Sequence, residues 1–382
     1  MNPQLVHASD FDQLAWPADP DSVYARDWLT FVGREGTKAA IANAHVEVQA
    51  LVWPEAVLPV TVTHGDLETC YVAGPYANFI AYAEAELFTI KQAAVRGGIR
   101  VILSGLGTLL RFGDINRIAI ANNYMLSTNL YPALDRAQIE QAATILRDAH
   151  PGHAVAFRSV ADVGNRPMVS AFRDAGFVAV PSRQVWWQDP RDGLSRNARK
   201  CLKRDFKRLE QGPYRVVGPD ELTESDLPRL LWLYNQLYLE KYTPLNPQFT
   251  LAFLTHAWRD RLLYLQALRH EETGSIDGIM GCFWRNGMLT TPLFGYDLSL
   301  PQEVGLYRML AALVYREAEK RHLVAHCSSG AAEFKRSRGA QPAIEYLMVD
   351  IRHLGARQRW VWKLLSRLFE GIAVPVMQRY EL

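Results

Sequence analysis

One stretch of the chain, residues 295–346, constrains the fold more than any other. It opens at the end of a strand, turns through Pro301 and Gly305, and continues as a helix that its apolar spacing predicts over residues 306–320. A second strand is predicted over residues 322–326. A strand, a turn, a helix and a strand in this order are typical of α/β proteins, whose functional residues concentrate on the connecting loops.

A loop and a charged segment follow that second strand. Four small residues, 327–330, precede a segment at 333–339 in which an acid, an aromatic ring and three cations occupy seven positions. Loops that follow strands carry binding and catalytic residues more often than the strands themselves do. This cluster therefore predicts a functional site.

The two halves of the chain share an order of elements without sharing a sequence. In the first half the apolar patterns predict strands at 45–53, 58–62, 100–103, 154–157 and 177–187 and helices at 22–32, 84–96, 136–149 and 165–175. In the second half they predict helices at 225–242 and 247–259, then strands at 262–267, 279–285, 288–294 and 343–350. Asn286-Gly287, between two of these strands, predicts a hairpin. We expect an α/β fold with mixed (α+β) sheets.

The length of the chain predicts two domains. A chain of 382 residues is too long for one ordinary core. We predict an N-terminal domain at 1–190, a basic linker helix within 191–221, and a C-terminal catalytic domain at 222–382 that ends in a basic amphipathic helix. The hydrophobic content of 49% and the charged content of 21% are typical of a globular protein and exclude a disordered chain.

A glycine-rich segment, 104–108, follows the predicted strand at 100–103, and Gly97-Gly98 is expected to end the helix before that strand. The segment is similar to half of a phosphate-binding glycine loop, but it lacks a third glycine and a Lys-Ser/Thr pair. The favoured interpretation is a tight turn from strand to helix.

The cysteines predict neither a metal site nor a disulfide framework. The four of them, at positions 70, 201, 282 and 327, form no CxxC pair and no metal-ligand spacing, which favours a reducing compartment. The N-terminal residues show no signal-sequence pattern, so we expect a cytoplasmic location. A basic helix predicted at 358–369 could make peripheral contact with an anionic membrane, but docking of its apolar face on the protein body is favoured.

The strongest charge asymmetry lies at 195–209, where seven basic residues accompany one acid, Asp205. On a helix most of these cations fall three or four residues apart and form one basic stripe. Two interpretations stay open: a solvated linker helix, or an anion site for the nucleotide end of CoA or for a tRNA backbone. The residues of this predicted patch are Arg196, Arg199, Lys200, Lys203, Arg204 and Lys207.

Three segments carry a resemblance to the FemAB-like and BioF2-like acyltransferases of the GNAT superfamily. Segment 195–204 resembles the basic helix that joins the two halves of those enzymes, segment 306–321 resembles their donor-side helix, and segment 334–339 is similar to their late F-K-x-x-x-G element. As a layout, the resemblance covers most of residues 20–350. It implies two tandem GNAT-like domains, each with a mixed, partly open sheet flanked by helices.

The resemblance also implies donors. FemAB members take an aminoacyl-tRNA and transfer to a peptidoglycan-precursor amine, whereas the wider GNAT family holds an acyl-CoA at a helix N-terminus. Tyr307 stands where the GNAT loop has a small residue, which limits the approach of a pyrophosphate to the backbone. The donor-binding residues implied here are Gln302, Gly305, Tyr307, Arg308 and Arg338.

Acyl transfer to an amine requires a stabilised oxyanion and the removal of a proton from the amine. Lys335, read as a mobile cation just after a loop, is the predicted oxyanion or phosphate stabiliser, and the resemblance places Phe334 and Lys335 at the reacting carbonyl. The alternative is that Lys335 is one of several solvated charges. The candidate bases are Glu333, His326, Asp297 and Tyr346.

Two of the candidate bases, His326 and Asp297, have a structural alternative. A histidine at a strand end is more often a hydrogen-bonded core residue than a base, and Asp297 could cap the turn that follows it. Some of these enzymes need no protein base, because the substrate relays the proton. Cys327 beside His326 cannot form a nucleophilic dyad on a strand, where neighbouring side chains face opposite sides.

The leading hypothesis is an N-acyltransferase that moves an acyl or aminoacyl group onto a small-molecule or peptide amine. A thioester donor, acyl-CoA or an acyl carrier protein, is preferred because the net charge is only +2. The alternatives are aminoacyl-tRNA-dependent transfer of the Fem type, and a catalytically silent binding protein on the same scaffold. No tightly bound cofactor and no metal are expected, and the sequence defines no oligomeric state.

Overall fold

A computed structural model describes residues 3–87, 92–163 and 167–380 of the chain. These residues form two compact units. The first unit comprises the described residues up to Arg183, together with Tyr242–Gln248 and Ile344–Tyr380. The second unit comprises Gln184–Lys241 and Phe249–Ala343.

The sheet of the first unit has six strands. They are β1 (Gln4–His7), β2 (Glu47–Trp53), β3 (Ala56–His64), β4 (Arg117–Ala121), β5 (Ala154–Val160) and β12 (Gln341–Asp350). Their order in the sheet is β1-β2-β3-β4-β5-β12. Neighbouring strands are antiparallel except for β4 and β5, which are parallel.

The strands of the second unit repeat this plan. They are β7 (Tyr214–Val217), β8 (Tyr264–His270), β9 (Ile276–Arg285), β10 (Met288–Tyr296), β11 (Val324–His326) and β6 (Val178–Gln188), which begins in the first unit. Their order is β7-β8-β9-β10-β11-β6. Here β10 and β11 are the parallel pair, and the other pairs are antiparallel. The predicted fold class, α/β with mixed sheets, is confirmed, and the two units share one plan of strands.

The last strand of each sheet comes from the other half of the sequence. Strand β6 precedes the second half yet pairs with β11, and β12, near the end of the chain, pairs with β5. The observed division therefore differs from the predicted boundaries at 1–190, 191–221 and 222–382. Residues 344–380 pack in the first unit, and the basic helix packs in the second instead of forming a separate linker.

Helices cover both faces of the first sheet. They are α1 (Pro20–Glu35), α2 (Thr37–Ala40), α3 (Tyr82–Glu86), α4 (Ala93–Phe112), α5 (Arg136–Ala149), α6 (Met168–Asp174), α12 (Ala356–Leu368) and α13 (Val374–Tyr380). Along β4, Ala119 enters the core under α5 and α6, whereas Ile118 and Ile120 enter the core under α4 and α12. Alternate residues of a strand point to opposite faces, so one strand serves both cores.

The second unit packs a core cluster between its sheet and two helices, α7 (Arg196–Gln211) and α10 (Leu306–Lys320). Its other helices are α8 (Leu227–Asn235), α9 (Leu251–Arg259) and α11 (Ala332–Arg336). Leu209 of α7 packs with Met309 and Leu313 of α10 and with strand residues such as Met280. The hairpin turn is as predicted: Asn286 (φ 47°) and Gly287 (φ 72°) take the left-handed conformations that a two-residue turn of this type requires.

The interpretation of residues 97–108 was wrong. Of the helix predicted at 84–96, residues 84–86 and 93–96 are helical, and residues 88–91 lie outside the described part of the chain. Helix α4 runs without interruption through Gly97, Gly98 and the segment 104–108, so neither a strand at 100–103 nor a glycine loop exists there. Glycine costs a helix about 1 kcal/mol relative to alanine. Burial of Leu103 and Leu110 in the core outweighs that cost, because a packed apolar face contributes more to helix stability than local propensity does.

The C-terminal helix docks on the first unit, as the favoured interpretation held. Val361, Trp362 and Leu365 of α12 are buried in the core with α4. Within the described part of the chain, no helix combines the length and the apolar character that crossing a membrane requires.

Candidate functional site

The candidate site lies in the second unit, where the parallel strands β10 and β11 end. Their pairing covers three residues of each strand, and it stops where His326 lies opposite Thr290. Strand β10 continues to Tyr296, whereas β11 ends at His326 and the next two residues, 327 and 328, stay hydrogen-bonded to Trp186 of β6. Two parallel strands that separate in this way place their following loops at one edge of the sheet, as at the ligand sites of many α/β proteins.

The loop after β11 has a constrained backbone. Ser328 (φ 59°), Gly330 (φ 75°) and Ala331 (φ 49°) all take left-handed conformations, which are costly for residues other than glycine. Lys335 stabilises this loop, since its ammonium group donates hydrogen bonds to the carbonyl oxygens of Ser328 (3.2 Å) and Ser329 (2.8 Å). Lys335 is 6% exposed and lies on α11. The predicted cation is therefore a buried and anchored charge, not a mobile one.

His326 is a buried histidine with a hydrogen-bonded ring. Its Nδ1 accepts a hydrogen bond from the backbone N–H of Ser328 at 3.2 Å. This bond favours the neutral tautomer that carries its proton on Nε2. His326 would have to break the bond to act as a base through Nδ1, and its role as a base stays a prediction.

Cys327 does not form a dyad with His326. Its thiol lies 3.7 Å from the carbonyl oxygen of Ala325. Burial raises the pKa of the thiol, and the charge of Lys335 and a hydrogen bond from the Tyr315 hydroxyl offset this only in part. The neutral thiol that results is a poor nucleophile.

Asp297 is ionised and fully engaged. Its carboxylate accepts hydrogen bonds from the backbone N–H (2.9 Å) and the hydroxyl (2.5 Å) of Ser299, and from Arg229 at 2.6 Å. Burial raises the pKa of Asp297, but these hydrogen bonds outweigh burial and leave the pKa below its usual value. The geometry matches the turn-capping alternative. Glu333 is exposed at the start of α11.

The start of α10 carries the predicted donor-binding residues. Gln302 lies in a short 3-10 turn, and Gly305 follows it in a left-handed conformation (φ 76°) as the N-cap of the helix. The Arg208 guanidinium donates a hydrogen bond to the carbonyl oxygen of Glu303. A Cβ on Gly305 would lie 2.5 Å from Arg208 Nη1. Glycine suits this position because of its backbone conformation, and a Cβ here would have to displace the flexible side chain of Arg208.

Tyr307, a predicted donor-binding residue, contacts Phe334, a predicted catalytic residue. Its ring lies edge-on to Phe334 with centroids 4.7 Å apart, and it contacts Phe294 (5.8 Å) and Tyr296 (6.1 Å) of β10. The side chain that replaces the expected small residue therefore completes an aromatic cluster beside Phe334. Aromatic pairs at these distances stabilise each other by about 0.5–1.5 kcal/mol beyond their burial.

Asp205 organises the cations around this cluster. Its carboxylate is 1% exposed and accepts hydrogen bonds from Arg308 Nε at 2.7 Å and from Arg338 Nε at 2.5 Å. The Arg338 guanidinium also lies 3.3 Å from the centroid of the Phe334 ring. One buried acid thus joins α7, α10 and the segment after α11. Two cations on one carboxylate leave a net positive charge.

The basic stripe of α7 lies on the opposite face from Asp205. Ala198, Leu202 and Leu209 are buried with Asp205 on the inner face. The six cations of the predicted patch are exposed on the outer side of the helix: Arg196, Arg199, Lys200, Lys203, Arg204 and Lys207.

The structure brings together some of the predicted residues and separates others. Phe334, Lys335 and Arg338 lie with Tyr307 and Arg308 around the two loops of the second unit. Tyr346 lies in the first unit, where the Arg173 guanidinium is 5.7 Å from the centroid of its ring.

Sequence reasoning missed Asp205 and Arg208. Asp205 shares the spacing of Ala198, Leu202 and Leu209, the apolar residues of its helix, and this pattern could have placed it on the buried face. Arg208 offered no comparable signal, because its partner is a backbone carbonyl far away in the sequence.

Among the described residues, no group of three or more His, Cys, Asp or Glu side chains could hold a metal ion. The cations and backbone amides of the site instead suit an anionic or carbonyl-bearing ligand.

No protein-family model matches the chain, and no curated protein matches it significantly. Several solved structures resemble it. The C-terminal domain of a putative lysylphosphatidylglycerol synthetase from Agrobacterium fabrum is 14% identical, covers 69% of this chain and 91% of its own, and has a TM-score of 0.43. L-PGS from Bacillus licheniformis is 15% identical, covers 57% of this chain and 79% of its own, and has a TM-score of 0.42. A tandem GNAT protein from the clavulanic acid biosynthesis pathway is 11% identical, covers 91% of this chain and 97% of its own, and has a TM-score of 0.38. Likenesses of this degree assign neither an activity nor a ligand to this chain.

Proposed function

We propose that the protein is an N-acyltransferase that moves an acyl or aminoacyl group from an activated donor to an amine, with the chemistry in the second unit. The observation that carries the proposal is the buried ammonium group of Lys335. It lies beside the constrained loop after β11, and its neighbour Phe334 contacts Tyr307 at the start of α10. A fixed cation in a site of low dielectric can stabilise an oxyanion without reorganising during the reaction.

The proposed reaction is the attack of an amine on a thioester. A nitrogen–carbon bond forms, a negative charge develops on the carbonyl oxygen, and the carbon–sulfur bond then breaks. The leaving thiolate takes up the proton that the amine loses, so the reaction can proceed without a protein base. This accords with the site, where Asp297 is ionised and hydrogen-bonded and the ring of His326 is engaged through Nδ1. The transfer residues would be Lys335 and Phe334, with donor contacts from Gln302, Gly305 and Tyr307.

Thiol release from an acyl-CoA in the presence of amine acceptors tests the role of Lys335. Replacing Lys335 by methionine keeps the volume of the side chain and removes its charge. Loss of one oxyanion-stabilising group lowers kcat by about 10²–10³-fold. Arg336→Met, at the exposed neighbouring position, should change kcat little, and Lys335→Arg should retain part of the activity. Thermal unfolding of each variant shows whether a lower kcat results from the missing charge or from a destabilised loop. A folded Lys335→Met variant with the parent rate would refute the proposed role.

The donor can be identified by its effect on stability. A ligand that binds only the folded protein raises the midpoint of thermal unfolding. We prefer the thioester donor, so we expect protection by CoA and none by bulk tRNA. Protection by tRNA alone would contradict that preference.

A second candidate function, aminoacyl-tRNA-dependent transfer, is favoured by one observation: the six exposed cations on one face of α7. If this patch binds tRNA, the affinity should fall steeply with salt, and Lys200→Glu with Lys203→Glu should weaken binding and flatten the salt dependence. A protein that binds donors yet transfers nothing with any of them would be the silent binding protein of the third hypothesis.

A further inference from the structure

A second surface of the protein combines exposed apolar side chains with an excess of basic charge. It is formed by α4 and by the continuous helical segment from α12 through α13. We call it the α4–α12 face. It belongs to the first unit, whereas the residues of the transferase proposal belong to the second.

The C-terminal helical segment has an exposed apolar stripe in addition to its buried face. Trp360 (55% exposed), Leu368 (36%), Ile372 (62%) and Val376 (41%) lie on this stripe. Their positions are separated by four residues or by multiples of four, and Leu364 fills the remaining place. Neighbouring positions at this spacing lie on the same side of a helix, and the wider π-helical turn at Phe369–Ala373 offsets part of the drift that accumulates along the segment. Val361, Trp362 and Leu365 of α12 are buried in the core with α4, so the exposed stripe is a second apolar face of the segment.

A basic stripe runs beside the apolar one. Arg359, Lys363 and Arg367 are also four residues apart, are exposed, and each precede one residue of the apolar stripe. Helices that bind at a membrane surface show this arrangement, because long basic side chains reach the headgroups while apolar ones enter the acyl region.

Helix α4 extends the same surface. Its exposed residues include Val101 (73%), Ile102 (68%) and Phe112 (54%). The helix lies against α12: a Cβ on Gly113, just after α4, would lie 2.7 Å from Val361, and the Arg357 guanidinium is 5.3 Å from the centroid of the Phe112 ring. The end of α4 that carries Phe112 therefore adjoins the start of α12.

The charge of these segments differs from that of the rest of the chain. Ala93–Phe112 and residues 356–380 together contain eight basic residues and one acid, Glu370, in a protein whose net charge is +2. Glu370 forms an ion pair with Arg173 at 3.0 Å. Arg357 likewise forms an ion pair with Asp114. The remainder of the chain is consequently net acidic, and this face is one of two concentrations of positive charge, the other being the basic stripe of α7.

We infer that the α4–α12 face binds the surface of an anionic phospholipid bilayer. Positive charge and interspersed apolar side chains complement a surface with negative headgroups and an apolar interior. A second copy of the chain fits this face less well, because a symmetric contact would place two sets of eight basic residues against each other.

Co-sedimentation of the full chain with lipid vesicles tests the inference. We expect binding to vesicles of equal parts phosphatidylcholine and phosphatidylglycerol, weaker binding as salt is raised, and little binding to phosphatidylcholine alone. Three variants separate the contributions. The charge variant carries Arg359→Glu, Lys363→Glu and Arg367→Glu. The stripe variant carries Trp360→Ser, Ile372→Ser and Val376→Ser. The control variant carries Arg215→Glu, Arg259→Glu and Arg261→Glu, three exposed cations of the second unit.

The charge variant should bind anionic vesicles about 100-fold less tightly or worse, since each basic residue near an anionic surface strengthens binding several-fold. The stripe variant should lose at least about tenfold through its lost apolar contacts, whereas the control variant should bind like the parent. Circular dichroism should show the parent fold in all three, because the substituted residues are exposed.

Several results would overturn the inference. One is that the parent chain does not bind anionic vesicles at low salt. Another is that the control variant loses as much affinity as the charge variant. Sedimentation velocity that shows a dimer of the parent and a monomer of the stripe variant would assign the face to a second copy. Binding of bulk tRNA that both face variants abolish would assign it to RNA.

Discussion

Asp205 sets the position of the basic helix against the rest of the second unit. It is the single acid in the basic segment 195–209, and its carboxylate bonds to both Arg308 and Arg338. A buried carboxylate with two guanidinium partners is costly to remove, because the buried cation of Arg338 is then left without a counter-charge. The position of the basic helix against the candidate site thus depends on one acidic residue.

Replacing Asp205 by asparagine should destabilise the protein by about 3 kcal/mol, since removal of one partner of a buried ion pair typically costs 3–5 kcal/mol. Urea denaturation followed by circular dichroism measures the free energy of unfolding. Glu210→Gln, an exposed position on the same helix, is the control. Equal effects of the two substitutions would show that Asp205 is not an anchor.

Gly305 combines a left-handed backbone with a close neighbour, and these two constraints can be separated. Gly274 has a similar φ of 72°, but a Cβ added there would meet no atom within 4 Å, whereas Arg208 fills that space at Gly305. Gly274→Ala should therefore lose only the backbone term of about 1–2 kcal/mol.

Gly305→Ala should be more destabilising than Gly274→Ala by about 1–3 kcal/mol, the usual range for overpacking. The free energies of unfolding of both variants give the comparison. Adding Arg208→Ala to Gly305→Ala should remove most of the difference. Equal losses of unfolding free energy in Gly305→Ala and Gly274→Ala would mean that the contact with Arg208 does not contribute to the cost at Gly305.

At the scale of elements, three histidines connect β3 to the turn between α5 and β5. His64 Nδ1 lies 3.1 Å from Nε2 of His153, and the rings of His150 and His153 lie 5.5 Å apart between centroids. Burial, together with the charges of its neighbours, lowers the pKa of His153 to about 4. Burial also lowers the pKa of His150. Protonation of this group is therefore coupled to unfolding.

Stability should fall as the pH is lowered from about 6.5 towards 4. The pKa of His153 is lower in the folded state (about 4) than its ordinary value of 6.5, so the unfolded state binds protons first. Between pH 8 and pH 5, protonation of His153 in the unfolded state should by itself lower the free energy of unfolding by about 2 kcal/mol. Urea denaturation at both pH values measures the loss, and His153→Gln should reduce it. An unchanged difference in that variant would assign the pH dependence to other groups.

At the scale of the whole molecule, each half of the sequence supplies the last strand of the other half's sheet. The first unit needs β12 and α12, which lie near the end of the chain and contribute Met348, Val349 and Trp362 to its two cores. The first unit is therefore incomplete until most of the chain has been synthesised, and folding of the first 183 residues alone is not expected.

A chain shortened to end at Ala343 should lose the structure of the first unit. Hydrogen exchange measured by mass spectrometry should show β4 and β5 unprotected, because β5 loses its antiparallel partner and both cores lose apolar residues. A chain shortened to end at Gly371, which lacks only the exposed last helix, serves as the control. Full protection of β5 in the shorter chain would contradict the assigned role of β12.

Local sequence patterns predicted a helix or strand correctly where the residues of that element alone determine its conformation. The bounds of α5 and α10 match their predictions because apolar spacing and terminal residues act within one helix. Residues 97–108 were mispredicted because two glycines suggested a stop, whereas burial of the apolar side of α4 against the core maintains the helix. Strand β4 gave no clear signal, since five residues carry too little periodicity to distinguish a strand.

The candidate site was predicted as a set of residues and not as an arrangement. The charged segment with Phe334 and Lys335, and the glycine at the start of α10, were recognised from the order of residues alone. Their contacts were not: the edge-on contact of Tyr307 with Phe334 joins positions 27 apart in the numbering, and the ion pair of Asp205 with Arg338 spans 133 residues. No local pattern encodes contacts over such distances in the chain.

By itself the sequence determined the α/β class, the repeated order of elements and the residues available for chemistry, because periodicity, turn residues and charge act over a few neighbouring positions. Only the tertiary structure decided which strand completes which sheet, that Lys335 is a buried charge, and that Asp205 orients the basic helix. These properties depend on burial and on partners far away in the chain. The free energy of a charge or a strand edge is set by what surrounds it in space.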